Sequence, residues 1–373
     1  MTGEGRKKIV YLMEYPIDLP GGAQMSTLSI CEGLCRHPEY GYDPVVICPL
    51  LLKHKPSDYP FKIREYPMGE SRIRNLLIRI RAFKRIIKEE QPYLIHIEMQ
   101  ESLITYGFIR KNFRDIPYVF TDRGLMTGYR KRSRLFMDPA LRDAKMMITT
   151  TSYNRKLWEE GSSIRPLTVI HNTISSEYFG SYDESKRTEH VRPVIGLAGR
   201  ICVEKDWPFA CDFIDALAAD GFEFDVHIVL STFEPGDDEE AERILGRLKN
   251  AVGEEHVLFQ LNLTQKEMSE YYYGIDIFLM TSCFESFGKA AVEAMSRKCA
   301  IVSTMAGGLP EVVALKENLY SKDTVERGVF RIRQLAGDPA LLKEQQEYYY
   351  RRYLDNYTED RYIKEHVRLY DEY

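Results

Sequence analysis

Short apolar runs alternate along the chain with longer stretches whose apolar positions fall three or four apart. KIVYLMEY (8–15), DPVVICPL (43–50), YLIHIEM (93–99) and YVFTDR (118–123) are continuous enough to read as buried strands. Between them STLSICEGLCR (26–36) and RNLLIRIRAFKRIIKEE (74–90) carry apolar spacing near the helical period. MMITTT (146–151) and LTVIHN (167–172) complete a first set of strands. The alternation begins again at PVIGLAGR (193–200) and runs through FACDFIDALAADG (209–221), FDVHIVL (224–230), AERILGRLKNAVG (241–253) and VLFQL (257–261). MSEYYYG, IDIFLMTS, KAAVEAMSRK, AIVSTM and LPEVVAL follow in strand and helix alternation.

Strand–helix repetition of this kind implies parallel sheets joined by right-handed crossovers. With 373 residues there is chain for two cores rather than one. The expectation is therefore α/β with two doubly wound, Rossmann-like domains. The first spans residues 1–175 and the second 176–356, joined near the polar stretch SSEYFGSYDESKRTEHVRP (175–193). The tyrosine-rich tail from about Pro339 reads as helical, and its last part, 357–373, is expected to pack back on the first domain.

The composition, 44% hydrophobic and 29% charged, is that of a globular chain and excludes a disordered one. The longest nearly apolar run, VVICPLLL (45–52), is too short to span a bilayer. The N-terminal segment has no secretory pattern, so a cytoplasmic location is expected. Seven cysteines, an odd number without CxxC spacing, read as reduced thiols. The net charge of −5 conceals a split: residues 1–190 hold 30 Lys+Arg against 23 Asp+Glu, while the remainder holds 21 against 33. The first half, at +7, is suited to an anionic partner.

In doubly wound sheets ligands bind beyond the carboxyl ends of the strands, so chemistry belongs in the loops that follow them. FESFGKAAVEAM (284–295) lies in such a loop and opens a helix. Gly288 permits close approach of a ligand, and the amides of Phe287, Gly288 and Lys289 at the helix start form an anion site. Glu285 precedes the helix and Glu293 lies inside it, so the two carboxylates reach different parts of one ligand, each able to accept from a diol. LAGRICVEKDW (197–207) follows the first strand of the second domain, and its Arg200 and Lys205 form a clamp for a diphosphate. In the first domain LPGGAQMS (19–26) places Gly21 and Gly22 between strand and helix, again for close backbone approach. It is not GxGxxG, which demotes a dinucleotide-binding reading.

Together GGAQMS, AGRICVEK, FESFGKAAVEAM and AIVSTMAGGLPEVV resemble glycosyltransferase family 4, the retaining, nucleotide-sugar-dependent transferases of the GT-B fold, whose two Rossmann-like domains face a central cleft. The resemblance implies that Arg200 and Lys205 hold the donor diphosphate and that Glu285 contacts the transferred sugar. It further implies that Glu293 binds the ribose hydroxyls and that the amides of Phe287–Lys289 contact the distal phosphate, with Gly21 and Gly22 on the donor side. The family commonly has a histidine after the fourth strand of the first domain; here VFTDRGL sets Asp122 and Arg123 there. Both are candidates for the acceptor or sugar side, as are Arg130 and Arg132 in GYRKRSR (128–134), read as a basic loop. His96 and His171 read as satisfied core or loop histidines, and GDDEE (236–240) as a solvated turn and helix start.

The implied reaction transfers a sugar, from a UDP-sugar by the family's habit, to a hydroxyl of a glycan, polysaccharide or lipid-linked acceptor in cell-surface polysaccharide synthesis. No cofactor is expected: the nucleotide-sugar is a substrate, and with no Asp-x-Asp the reaction is expected to be metal-independent. The expected partners are donor and acceptor, with peripheral contact to an anionic membrane at its inner face and no nucleic acid. The rival readings are a non-catalytic sugar-nucleotide-binding subunit, and a nucleotide-sugar epimerase or sugar phosphorylase on the same architecture.

Overall fold

The computed structural model describes residues 5–19 and 21–373. They divide into two compact units, one made of residues up to Ile174 together with Glu359–Tyr373, the other of Ser175–Thr358.

In the first unit β1 (Lys7–Leu12), α1 (Gly22–Arg36), β2 (Tyr42–Pro49), β3 (Lys62–Tyr66) and α2 (Arg72–Glu90) are followed by β4 (Leu94–Glu98), α3 (Gln100–Ile109) and β5 (Tyr118–Asp122). α4 (Lys131–Asp143), β6 (Met146–Thr149), α5 (Ser152–Gly161) and β7 (Leu167–Val169) complete the alternation. The sheet order is β3-β2-β1-β4-β5-β6-β7, and its pairings are parallel. Chain order reverses between β1 and β4, which makes that pair the switch point. Ile9, Val10, Tyr11 and Leu12 are wholly buried, as expected of a central strand covered by helices on both faces.

The second unit holds α6 (Ser176–Phe179), β8 (Val194–Arg200), α7 (Trp207–Ala218), β9 (Asp225–Ser231), α8 (Asp237–Val252), β10 (Val257–Leu261) and α9 (Gln265–Tyr273). β11 (Ile277–Met280), α10 (Lys289–Ser296), β12 (Ala300–Thr304), α11 (Leu309–Val313), β13 (Leu319–Tyr320), α12 (Val325–Gly337) and α13 (Pro339–Asn356) follow. Here the parallel order is β10-β9-β8-β11-β12-β13, with the switch between β8 and β11.

The last helix, α14 (Glu359–Asp371), belongs to the first unit. It buries Tyr362, Ile363, Val367, Leu369 and Tyr370 in the core that Ile9, Tyr11, Ile30 and Leu34 share. A Cβ on Gly33 of α1 would stand 2.2 Å from Ile363 Cδ1, so the helices meet where α1 has no side chain. Polar bonds fix the register of the contact: the Tyr11 and Tyr370 hydroxyls are 2.9 Å apart, and His96 Nδ1 lies 2.6 Å from Tyr370 Oη. His96 Nε2 is 2.6 Å from Thr121 Oγ1, and burial holds the ring's pKa well below the ordinary histidine value. His96 is a satisfied core residue.

One expectation needs correction. The basic stretch 128–134 is not a loop: Lys131 begins α4, because Met137, Ala140 and Leu141 give that segment a short buried stripe. The edge strand β3 has no continuous apolar run. Of its residues KIREY only Ile63 and Tyr66 are buried, while Lys62 is exposed and Arg64 and Glu65 are half-buried.

Candidate donor site in the second unit

β8 and β11 end side by side at the switch point, and the loops that leave them are stitched together. After β8 the chain makes a short turn over Val203–Lys205, with Asp206 in the left-handed region at φ 54°. Cys283 N donates to Glu204 O (2.9 Å), Cys283 Sγ to Val203 O (3.3 Å) and Thr281 Oγ1 to Lys205 O (3.2 Å). Trp207 Nε1 donates to Arg200 O (2.9 Å), which closes the turn from its other side.

This stitching brings Lys205 Nζ to 2.9 Å from Glu285 Oε2, with both side chains about one-fifth exposed (21% and 18%). Burial works against the charged ammonium, but the Glu285 carboxylate and its hydrogen bond outweigh it, so the Lys205 pKa stands above the ordinary lysine value. The Lys205 stem lies over Gly199: a Cβ there would be 3.2 Å from Lys205 Cδ. Arg200 is exposed at the end of β8, near enough for its charge to act on Lys205.

Gly288 sits at φ 97° as the N-cap of α10, where an added Cβ would come within 2.5 Å of Leu309 Cδ2. Both the backbone conformation and the neighbour require glycine. The α10 N-terminus has no side-chain cap and no acidic residue in its first turn. Phe287 is buried and packs edge-on against Tyr357. Gly308 N donates to Glu285 O (3.0 Å), so the glycine pair after β12 braces the Glu285 backbone. Arg352 of α13 donates to the carbonyls of Val312 (2.7 Å) and Glu311 (2.6 Å), tying α11 to α13.

Glu293, one helical face inward, is 9% exposed and accepts from Tyr272 Oη at 3.1 Å. Burial raises its pKa above the ordinary carboxylate value, against the lowering pull of Lys289, the Tyr272 hydrogen bond and Lys205. Arg200, Lys205, Glu285, Lys289 and Glu293 thus form one electrostatic cluster at the carboxyl ends of β8 and β11. Of the bracing residues, Trp207 and Gly308 lie within LAGRICVEKDW and AIVSTMAGGLPEVV, while Thr281 and Tyr272 lie outside the segments that carry the resemblance. Their common signal is position, in or beside the loops and helices around the switch point.

The candidates in the first unit fare differently. Gly21 is extended at φ −174° and Gly22 begins α1; the Gln24 side chain folds over Gly21, with Oε1 2.4 Å from where a Cβ would stand. Asp122, expected toward a ligand, is turned inward and wholly buried. Its carboxylate accepts from Gly124 N (3.0 Å), Asn154 Nδ2 (2.9 Å), Trp158 Nε1 (2.7 Å) and Tyr129 Oη. Arg123 is also turned inward, its side chain 6% exposed and forked on Glu98 through two 2.8 Å bonds, with further bonds to Tyr362 Oη and Asn172 Oδ1. Arg130 and Arg132 are exposed at the start of α4. Lys131 and Arg134, with Trp158 and Ser162, line a cavity of about 330 Å³ beside it. Among the described residues no group of three or more His, Cys, Asp or Glu is placed to hold a metal ion.

Two parallel doubly wound units, the second with a cationic and carboxylate cluster at its switch point, define the GT-B class of glycosyltransferases. The family model for glycosyl transferases group 1 matches residues 213–352, and that for glycosyltransferase family 4 matches residues 20–178. The chain belongs to glycosyltransferase family 4. It is 24% identical over 291 residues to a probable sucrose-phosphate synthase of Thermosipho melanesiensis; the match covers 70% of this chain and 66% of the relative's own length, just under two thirds. Among solved structures, the sucrose-phosphate synthase of Thermosynechococcus elongatus superposes with a TM-score of 0.83 at 16% identity, covering 98% of this chain and 99% of that one. Anabaena HepE in complex with UDP superposes with a TM-score of 0.80 at 15% identity, covering 98% and 100%.

Proposed function

We propose that the chain transfers a sugar, with retention at the anomeric carbon, from a UDP-sugar to a hydroxyl of a glycan or lipid-linked acceptor in cell-surface polysaccharide synthesis. The observation that carries this reading is the Lys205–Glu285 pair at the switch point, flanked by Arg200 and by the uncapped α10 N-terminus. Arg200 and Lys205 take the diphosphate, whose charge grows as its bond to the sugar breaks; in this reading they supply that neutralisation without a metal. The α10 amides take the distal phosphate. Glu285 orients the sugar, and Glu293 accepts from the ribose hydroxyls. The acceptor hydroxyl attacks from the face the diphosphate leaves, and the departing phosphate oxygen takes its proton. The choice of uridine is supported by the HepE structure, a protein of the same fold that holds UDP.

Thermal-shift screening against UDP, GDP and ADP tests the donor, since a ligand favouring the native state raises its apparent stability. UDP is expected to give the largest rise, and a preference for GDP or ADP rejects the uridine reading. Analysis of products from the UDP-sugars that bind separates the rivals. A new glycoside is expected; an isomerised donor, a sugar phosphate, or binding without turnover would each replace transfer.

The same reading places the first unit against an anionic membrane at its inner face. No helix among the described residues is long and apolar enough to cross a bilayer. On α2, Arg72 and Arg74 are exposed beside Ile73 (75%) and Leu77 (47%), and on α4, Lys131 and Arg132 lie near Leu135 (70%) and Phe136 (57%). Cations beside exposed apolar side chains suit an anionic lipid surface, which attracts each basic residue by about 1 kcal/mol. Co-sedimentation with vesicles should rise with anionic lipid content and fall with salt. Equal binding to neutral and anionic vesicles, or to neither, rejects the membrane part and leaves a soluble anionic glycan as acceptor.

A further inference from the structure

Glu14 follows β1 and stands at the switch point of the first unit, beside the first turn of α3. It is 7% exposed, and its Oε2 accepts from Ser102 N at 3.0 Å. Two donors nearby have no hydrogen-bond partner among the described residues: Ser102 Oγ, whose residue is fully buried, and Arg79 Nε, whose residue is 8% exposed. Arg79 Nη2 holds Glu101 Oε2 at 2.9 Å, and Arg72 approaches the same carboxylate at 3.5 Å. Tyr15, the next residue along the loop, is 44% exposed and brings an aromatic ring to the surface there.

We infer that Glu14, Ser102 and Arg79 form a subsite for two neighbouring hydroxyls of a neutral pyranose, which the acceptor presents. This rests on the reading that the first unit receives the acceptor. A sugar hydroxyl is donor and acceptor at once, so one diol can donate to the Glu14 carboxylate and accept from Ser102 Oγ and Arg79 Nε. Buried donors without partners cost free energy that such a ligand recovers. Phosphate fits less well, because Glu14 and Glu101 set two carboxylates beside the arginines. An apolar group would leave every one of these polar atoms unpaired, which is how a site of this kind selects for hydroxyls.

The carboxylate is the form that accepts both hydroxyls. Burial pushes the Glu14 carboxyl up to about 7, against the lowering effect of the Ser102 amide, Arg79 and the Glu101 amide, while the Glu101 charge adds to the rise. The groups that face it are Arg79 from α2, Glu101 from α3, Tyr66 from β3, Tyr129 and Tyr15. Occupancy should therefore increase as pH rises through neutrality.

The test is saturation-transfer NMR on the full chain with methyl α-D-glucopyranoside, galactopyranoside, mannopyranoside and N-acetylglucosaminide as probes. At least one should receive saturation from the wild-type chain, more strongly at about pH 8 than at about pH 6. The transfer should be lost in Ser102→Ala, and in Glu14→Gln any remainder should no longer depend on pH. No transfer to any probe, an unchanged signal in both variants, or a wild-type signal that does not vary with pH overturns the inference. The UDP-induced thermal shift of the same samples reports the donor reading separately. Its absence counts against the proposed function, and urea unfolding midpoints near wild type, followed through Trp158 of the first unit, show that both variants fold.

Discussion

Substituting Lys205 by alanine should lower turnover by about a hundredfold or more, equivalent to roughly 3–4 kcal/mol of lost transition-state stabilisation. The side chain has two tasks in the proposed site. It faces the departing diphosphate, and its ammonium holds Glu285 at 2.9 Å. Removing it takes away a charge that matters most when the sugar–phosphate bond is breaking, so kcat should fall further than donor affinity. The partner substitution Glu285→Ala should cost about as much, and the double variant less than the sum, because each single change already disrupts the pair. Glu293→Ala should act mainly through donor KM. Initial rates over a range of donor concentrations decide the matter, and near-normal turnover in Lys205→Ala removes the clamp from the mechanism.

Asp122→Ala should be among the most destabilising single substitutions in the first unit, costing about 3–5 kcal/mol. Its carboxylate satisfies donors from Gly124, Tyr129, Asn154 and Trp158, and each would stay in place having lost that acceptor. The turn at 124–129 would lose the part of its attachment to α5 that runs through the carboxylate and keep the Asn154 bonds to Met126 N (3.0 Å) and Gly124 O (3.1 Å). Urea unfolding followed through the Trp158 environment measures the cost directly. An unchanged midpoint with weakened acceptor binding would return Asp122 to the ligand side and contradict its burial.

Where the sequence was legible, a single physical regularity made it so. Parallel strands covered on both faces must be apolar throughout, and β1, β2, β4 and β12 could be read from that alone. β3 escaped because an edge strand keeps polar positions, and α4 because its opening turn, KRSR, is more basic than amphipathic. The loop residues of the second unit stood out because glycine, cations and carboxylates cluster there within a few positions, and the structure does gather Lys205 with Glu285. Asp122 and Arg123 could not be placed the same way. Their partners are Asn154, Trp158, Glu98 and Tyr362, up to 239 positions away, and no local pattern announces a contact of that separation. Glu14 was passed over for a similar reason: next to an apolar run it looked like a strand end, and only the approach of α2 and α3 gives it company.

The placement of α14 bears on how the protein is made. The helix that covers Tyr11 of β1 and fills the groove over Gly33 is synthesised only after the whole of the second unit. The second unit is translated in full in between and can close its own core first, which reverses the usual N-terminal-first order of domain folding. Through that interval the nascent chain carries an unfinished apolar surface, over α1 and β1, of the kind that holdase chaperones bind. Completion of the first unit is thereby coupled to synthesis of α14, so a chain that stalls before Glu359 is marked by exposed core and open to proteolytic clearance.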